Sequence, residues 1–145
     1  MHWILRILLG AFFVFSGFEK IITPYQNFLY VIQTYDFLPP SLEFFAAHTV
    51  PWIELFLGFF CLSGLWLRWS LGGIIGLLML FILIVAQAIM RDLPITECGC
   101  FGESLSLPLP VVILFDSTLL LLTGFLLKCI GKTSKRSLDK YFDEG

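Results

Sequence analysis

The stretch LGGIIGLLMLFILIVAQAIM, residues 71–90, decides the fold class. It carries no charged side chain, and its one amide, Gln87, stands in the last turn. A helix rises about 1.5 Å per residue, so about 20 mostly apolar residues are what it needs to cross a hydrocarbon core ~30 Å thick. No water is present there to satisfy the backbone, so a crossing segment closes its hydrogen bonds internally, as a helix. Outward from this stretch, residues 3–22, 50–67 and 107–127 have the same character. The breaks carry turn and interface residues: Thr23-Pro24, Leu67-Arg68-Trp69-Ser70 and Arg91-Asp92-Leu93-Pro94, with Gly131 after the last span. Thr49 and Pro51 read as N-cap and first turn of the second span, and Pro108 and Pro110 open the fourth.

The whole composition agrees. The chain has 145 residues, 58% hydrophobic and 14% charged, with a mean hydropathy of +0.90. Soluble domains run at roughly 45–50% apolar and about 25% charged. A soluble fold this small has too little interior for so much apolar surface, and a disordered chain is poor in apolar residues. A net charge of -2 gives no basic footprint for nucleic acid. The expectation is an all-α integral membrane four-helix bundle over residues 1–130, with a polar tail over 131–145. No small-residue cleavage site follows the first apolar run, so that span reads as retained rather than as a signal peptide.

Lys and Arg set the orientation. Arg6, Arg68, Lys128, Lys132, Lys135, Arg136 and Lys140 fall on one side, and Lys20 and Arg91 on the other. The termini are therefore expected in the cytoplasm and the chain in the inner (plasma) membrane of a bacterium, crossing it several times. Anionic lipid suffices as partner for the basic tail. The connections 26–48 and 92–106 then face outward. In the first, Tyr25, Phe28, Leu29, Ile32 and Tyr35 recur at helical spacing, which predicts a short interfacial helix ended by Leu38-Pro39-Pro40. A short apolar piece, 42–47, leads into the second span.

Ionisable residues inside spans are costly and face the bundle interior. Each span brings one polar side chain toward the outer side: Lys20, Glu54, Gln87 and Asp116. In the first span Arg6, Gly10, Phe13, Gly17 and Lys20 share a face. In the second Glu54, Gly58 and Cys61 do; in the third Gly73, Gly76, Leu80, Leu83 and Gln87; in the fourth Asp116, Leu120 and Thr123. Glu19 points some way round from Lys20, toward the headgroups. The layer reads either as a structural ion pair, Lys20 with Glu54 or Asp116, or as groups that hold and move protons for nearby chemistry.

Cys61 and Cys129 fall within or at the end of spans, where cysteine acts as a small hydrophobe. Cys98 and Cys100 differ, because they stand in the outward loop, in an oxidising compartment. One residue between them allows a disulfide only if the backbone bends tightly, which Gly99 and Gly102 permit. A strained disulfide exchanges readily, so the pair suits thiol–disulfide exchange. A passive local disulfide and a metal site remain as alternatives; two thiolates are too few for a metal, and His48 and Glu97 are the nearby candidates to join them.

Arg6-Ile7-Leu8-Leu9-Gly10, Phe15-Ser16-Gly17-Phe18-Glu19-Lys20, Tyr35-Asp36-Phe37-Leu38-Pro39 and Pro51-Trp52-Ile53-Glu54-Leu55 with Gly58 resemble DoxX-type membrane proteins. The loop Cys98-Gly99-Cys100-Phe101-Gly102 is similar to that of the MauE branch, the methylamine-utilisation proteins. That resemblance implies a four-helix membrane protein tied to methylamine metabolism. It further implies a role in maturing a periplasmic, disulfide-rich quinoprotein subunit beside a thioredoxin-like partner. On this reading Cys98 and Cys100 would carry a thiol–disulfide oxidoreductase activity supported by Lys20, Glu54, Gln87 and Asp116, with Gly99, Phe101 and Gly102 shaping the loop. The electrons need a second carrier, and a membrane quinone near Lys20, Glu54 and Asp116 would suit; no metal is called for. A small oligomeric transporter or ion- or metal-binding membrane protein, and an assembly factor without turnover, are the competing classes.

The Lys and Arg asymmetry gives the first prediction. A membrane-impermeant thiol reagent should label reduced Cys98 or Cys100 on whole cells, whereas labelling only after lysis would reverse the orientation.

Overall fold

The computed structural model describes residues 1–23, 25–92 and 108–132. Within these it is entirely helical: α1 (His2–Ile22), α2 (Tyr25–Tyr35), α3 (Pro40–Ser63), α4 (Leu67–Met90) and α5 (Leu109–Lys132). Three of them, α3, α4 and α5, are long and apolar enough to cross a membrane. The fourth long helix, α1, has 21 residues and a length of about 31 Å, but carries Arg6, Glu19 and Lys20. The Cys98-Gly99-Cys100 motif, with Glu97, Phe101, Gly102 and Glu103, lies outside the described residues, as does the tail from 133.

The packing is dominated by α1 on α3 and by α4 on α5. The first pair is antiparallel and unusually close. A Cβ on Gly17 would stand 2.7 Å from the Leu55 nitrogen and 2.8 Å from the Pro51 carbonyl oxygen; one on Gly58 would stand 2.6 Å from the Val14 nitrogen. Only the bare backbone of glycine lets two helices approach so far, the usual route to affinity between helices in lipid. Ser70 adds a tie between α4 and α3, its Oγ donating to the Leu57 carbonyl at 2.8 Å. The end at which α1 and α4 finish and α5 begins is the upper end of the bundle. There Arg91 Nη1 donates to the Asp36 carbonyl at 3.2 Å and pairs loosely with its carboxylate, joining the ends of α2 and α4. Exposed as it is, that pair adds little stability.

Two apolar clusters fill the interior. The lower one gathers Leu9, Phe13, Cys61, Leu67, Leu71, Ile74, Leu78 and Leu126. The upper one gathers Tyr35, Val85, Ala88, Leu109 and Val112. Along α4 and α5 the gap between them falls at Phe81 and Asp116, and that gap is where the buried charges stand.

Several expectations are corrected. The helix α3 begins at Pro40, with Pro39 before it in extended conformation, rather than at Val50. Pro at the first position is pre-set for a helix, so residues 42–47 continue into the span, and Pro51 lies inside the helix and buried instead of opening it. The turn to α4 is at 64–66 rather than 67–70, because Gly64 takes the left-handed conformation (φ 76°) and its N–H closes on the Phe60 carbonyl. The inward face of α4 is Leu67, Leu71, Ile74, Leu78, Val85 and Ala88. Gly76, Leu80 and Leu83, expected to face inward with Gln87, are exposed, since α3 and α5 meet α4 on the other side. Glu19 is buried rather than at the headgroups. The short helix α2 falls where its aromatic spacing predicts.

The close approach of α1 and α3 is testable. Gly17→Leu should destabilise the protein by about 1–3 kcal/mol through overpacking, read by thermal unfolding in detergent. Gly72→Ala, where a Cβ meets nothing within 4 Å, should leave the transition unmoved.

Candidate functional site

Lys20 belongs to the last turn of α1, on the same face as Ser16, Phe13 and Gly17. Glu54 projects from the buried face of α3, one turn above Gly58. Because those glycines bring the two backbones together, the side chains meet without stretching. Lys20 Nζ stands 2.9 Å from both Glu54 Oε1 and Glu54 Oε2. The side chains are 2% and 3% exposed, so this is a buried ion pair, and the strong form of the contact. Ser16 Oγ donates to Glu54 Oε2 at 3.3 Å. One turn separates Ser16 from Lys20, a signal the sequence did contain.

Aromatic rings complete the surroundings of the ammonium. Lys20 Nζ is 5.3 Å from the centroid of Phe28, on α2, and 5.3 Å from that of Phe81, on α4. A cation over two ring faces is held by their quadrupoles, most strongly where water is excluded. Neither ring stood out among so many apolar residues in the sequence.

Asp116 of α5 reaches the same layer. It is 8% exposed and within electrostatic reach of both Lys20 and Glu54. With Ser16, Lys20, Glu54 and Phe81 it lines a cavity of about 30 Å³. Gln87 does not join them: it lies about 9 Å further up α4 than Phe81, and its Oε1 is buried without a hydrogen-bond partner among the described residues. Tyr35 closes the layer from α2. Its hydroxyl is pushed up to about 12, first by burial and then by the charge of Asp116.

A second cavity of about 60 Å³ lies between α2 and α4, lined only by apolar and aromatic side chains, among them Phe28, Val31, Tyr35, Phe81 and Val85. Phe81 is common to both cavities, so the apolar slot and the charged layer share a wall. No group of three or more His, Cys, Asp or Glu suited to a metal occurs among the described residues. His48, the possible metal partner of the loop, packs against Tyr25 and Phe44 with ring centroids at 5.4 and 5.5 Å. Cys61 is buried, its Sγ donating to the Arg6 carbonyl at 3.6 Å; it and Cys129 are free thiols.

The profile of the family described as methylamine utilisation protein MauE matches residues 1–129. The chain belongs to the MauE family. It is thus a multi-pass membrane protein of a family named for methylamine utilisation, and the match takes in the whole charged layer and all five helices up to Cys129. No curated protein and no solved structure matches the chain.

For this MauE-family bundle the ion pair should be structural whatever else it does. Lys20→Ala leaves Glu54 buried without its counter-charge and should cost roughly 3–5 kcal/mol near neutral pH. Denaturant unfolding in detergent checks this cost.

Proposed function

We propose that the protein is a membrane thiol–disulfide redox protein that serves a periplasmic thioredoxin-like partner or a disulfide-rich client. In this reading α1 crosses the membrane with α3, α4 and α5, the termini are cytoplasmic, and the segment joining α4 to α5 faces outward in the inner membrane. The observation that carries it is the Cys98-Gly99-Cys100 triplet, in the segment between two helices whose upper ends pack together. Val85 and Ala88 of α4 meet Leu109 and Val112 of α5 there, on the upper side of a buried charged layer.

Closing Cys98 and Cys100 to a disulfide forms one S–S bond and releases two protons and two electrons; opening it takes them up. The thiolate is the reacting form, so each turnover moves protons as well as electrons. A lipid quinone, when bound, would supply the matching two-electron, two-proton acceptor. The apolar slot between α2 and α4 supports this reading, since it opens beside Lys20 and Tyr35. At about 60 Å³ it is smaller than the ~150 Å³ that admits a benzene ring. A ring therefore enters only as α2 shifts, which its light packing on α4 favours.

The test is titration of the purified protein against a glutathione couple. A reversible Cys98–Cys100 disulfide with a midpoint above about -300 mV is expected; a lower midpoint would mark a structural staple. Replacing both loop cysteines by serine should abolish support for the client's maturation, whereas full activity of that variant would favour a transporter or a passive assembly factor.

A further inference from the structure

The Lys20–Glu54 pair accounts for one of the two carboxylates in the layer and leaves Asp116 unexplained. Asp116 Oδ2 is buried and has no hydrogen-bond partner among the described residues. The side chain lines the 30 Å³ cavity together with Lys20, Glu54 and Ser16. A buried carboxylate normally collects donors, because an ionised one without them is very costly in a low dielectric.

Both Glu54 oxygens accept from Lys20, which marks Glu54 as the ionised partner. The pair is neutral. An ionised Asp116 would leave a net negative charge between two apolar clusters. Among the described residues the groups around it offer no second cation: α1 brings Lys20 and, on its neighbouring face, Glu19; α2 brings Tyr35; α3 brings Glu54; α4 brings Phe81 and, further up, the amide of Gln87. The cavity also exceeds the roughly 10–15 Å³ that one water needs, and such a water requires two to four polar partners. Asp116 Oδ2, Ser16 Oγ and the third N–H of Lys20 provide them.

We propose that Asp116 is a proton-carrying acid, holding its proton against an internal water shared with Lys20 and Ser16, so that the layer is a proton-loading site within the membrane. Loading and unloading involve one proton and no electrons. When the proton leaves, Asp116 becomes a carboxylate, Lys20 turns its third N–H toward it, and the ammonium is shared by two carboxylates. Above it, the Oε1 of Gln87 is also buried without a hydrogen-bond partner among the described residues. This site goes beyond the thiol–disulfide reading and does not depend on it, because no cysteine takes part.

Infrared difference spectroscopy of the full-length protein in lipid nanodiscs at neutral pH tests it. The wild type should show a protonated-carboxylic C=O band that shifts in heavy water, and Asp116→Asn should remove it. Glu54→Gln should remove it as well, since Asp116 then becomes the counter-ion of Lys20. Lys20→Met should add a second such band, because both carboxylates must then be neutralised by protons. Ser16→Ala, which removes a partner of the water and a donor to Glu54 but no charge, should keep the band and move its frequency. The absence of any such band in the wild type, or its persistence in Asp116→Asn, would overturn the proposal. Glu19 and Glu43 are also buried, and Glu19 Oε2 likewise has no hydrogen-bond partner among the described residues, so the decisive reading is the band lost between wild type and Asp116→Asn. Where that variant does not fold, Asp116→Glu, which keeps the acid, should shift the same band, and an unshifted band would overturn the proposal.

Discussion

A charge inside hydrocarbon must be paired, and in this protein that requirement is met by Lys20 and Glu54. The pair dictates which helices touch. Residues from α1 and α3 reach each other at 2.9 Å only because Gly17 and Gly58 remove the side chains that would hold the backbones apart. The two glycines and the two charges thus form one device, in which the close approach shortens the ion pair and the ion pair fixes the register. The other helices arrange themselves on that unit, with Ser70 tying α4 to it and Phe28 and Phe81 closing over the ammonium.

The same arrangement gives the upper end of the bundle an unusual character. Apolar packing lies above and below a thin polar stratum, so the groups in it interact at low dielectric, where hydrogen bonds and charges act on each other strongly. A redox pair in the segment between α4 and α5, as proposed, would operate next to a stratum able to hold charge out of contact with bulk water. The apolar slot shares Phe81 with that stratum, so anything entering the slot disturbs the environment of Lys20.

Much of this was legible in the chain. The uncharged run 71–90 announces a membrane helix without help from any other segment. Lys20, Glu54 and Asp116 are conspicuous because ionisable residues are rare in such runs; cost alone calls for a carboxylate partner for Lys20, and the choice of Glu54 over Asp116 is legible only in the structure. What the sequence concealed has a common cause. A hydrophobic helix gives almost no periodic signal, since lipid-facing and core-facing residues are alike; hence the face of α4 read through Gly73, Gly76, Leu80, Leu83 and Gln87 includes three residues, Gly76, Leu80 and Leu83, that are exposed. Phe28 and Phe81 were hidden among sixteen phenylalanines. Proline misled for a local reason: Pro51 has the look of a helix start, but Pro40 had already begun the helix.

The pairing of α1 with α3 also bears on how the protein is made. Lys20 and Glu54 are separated by 34 positions, and α1 meets the membrane before its partner has been synthesised. During that interval the lysine has no carboxylate to meet, and its long side chain can reach the headgroup level from the last turn of α1. Docking then waits for α3, so the helix that opens the chain is held at the boundary until a later helix draws it in. The closest contact of α1 in the finished bundle is thus one it reaches late, and a chain interrupted before residue 54 would leave that helix without its anchor.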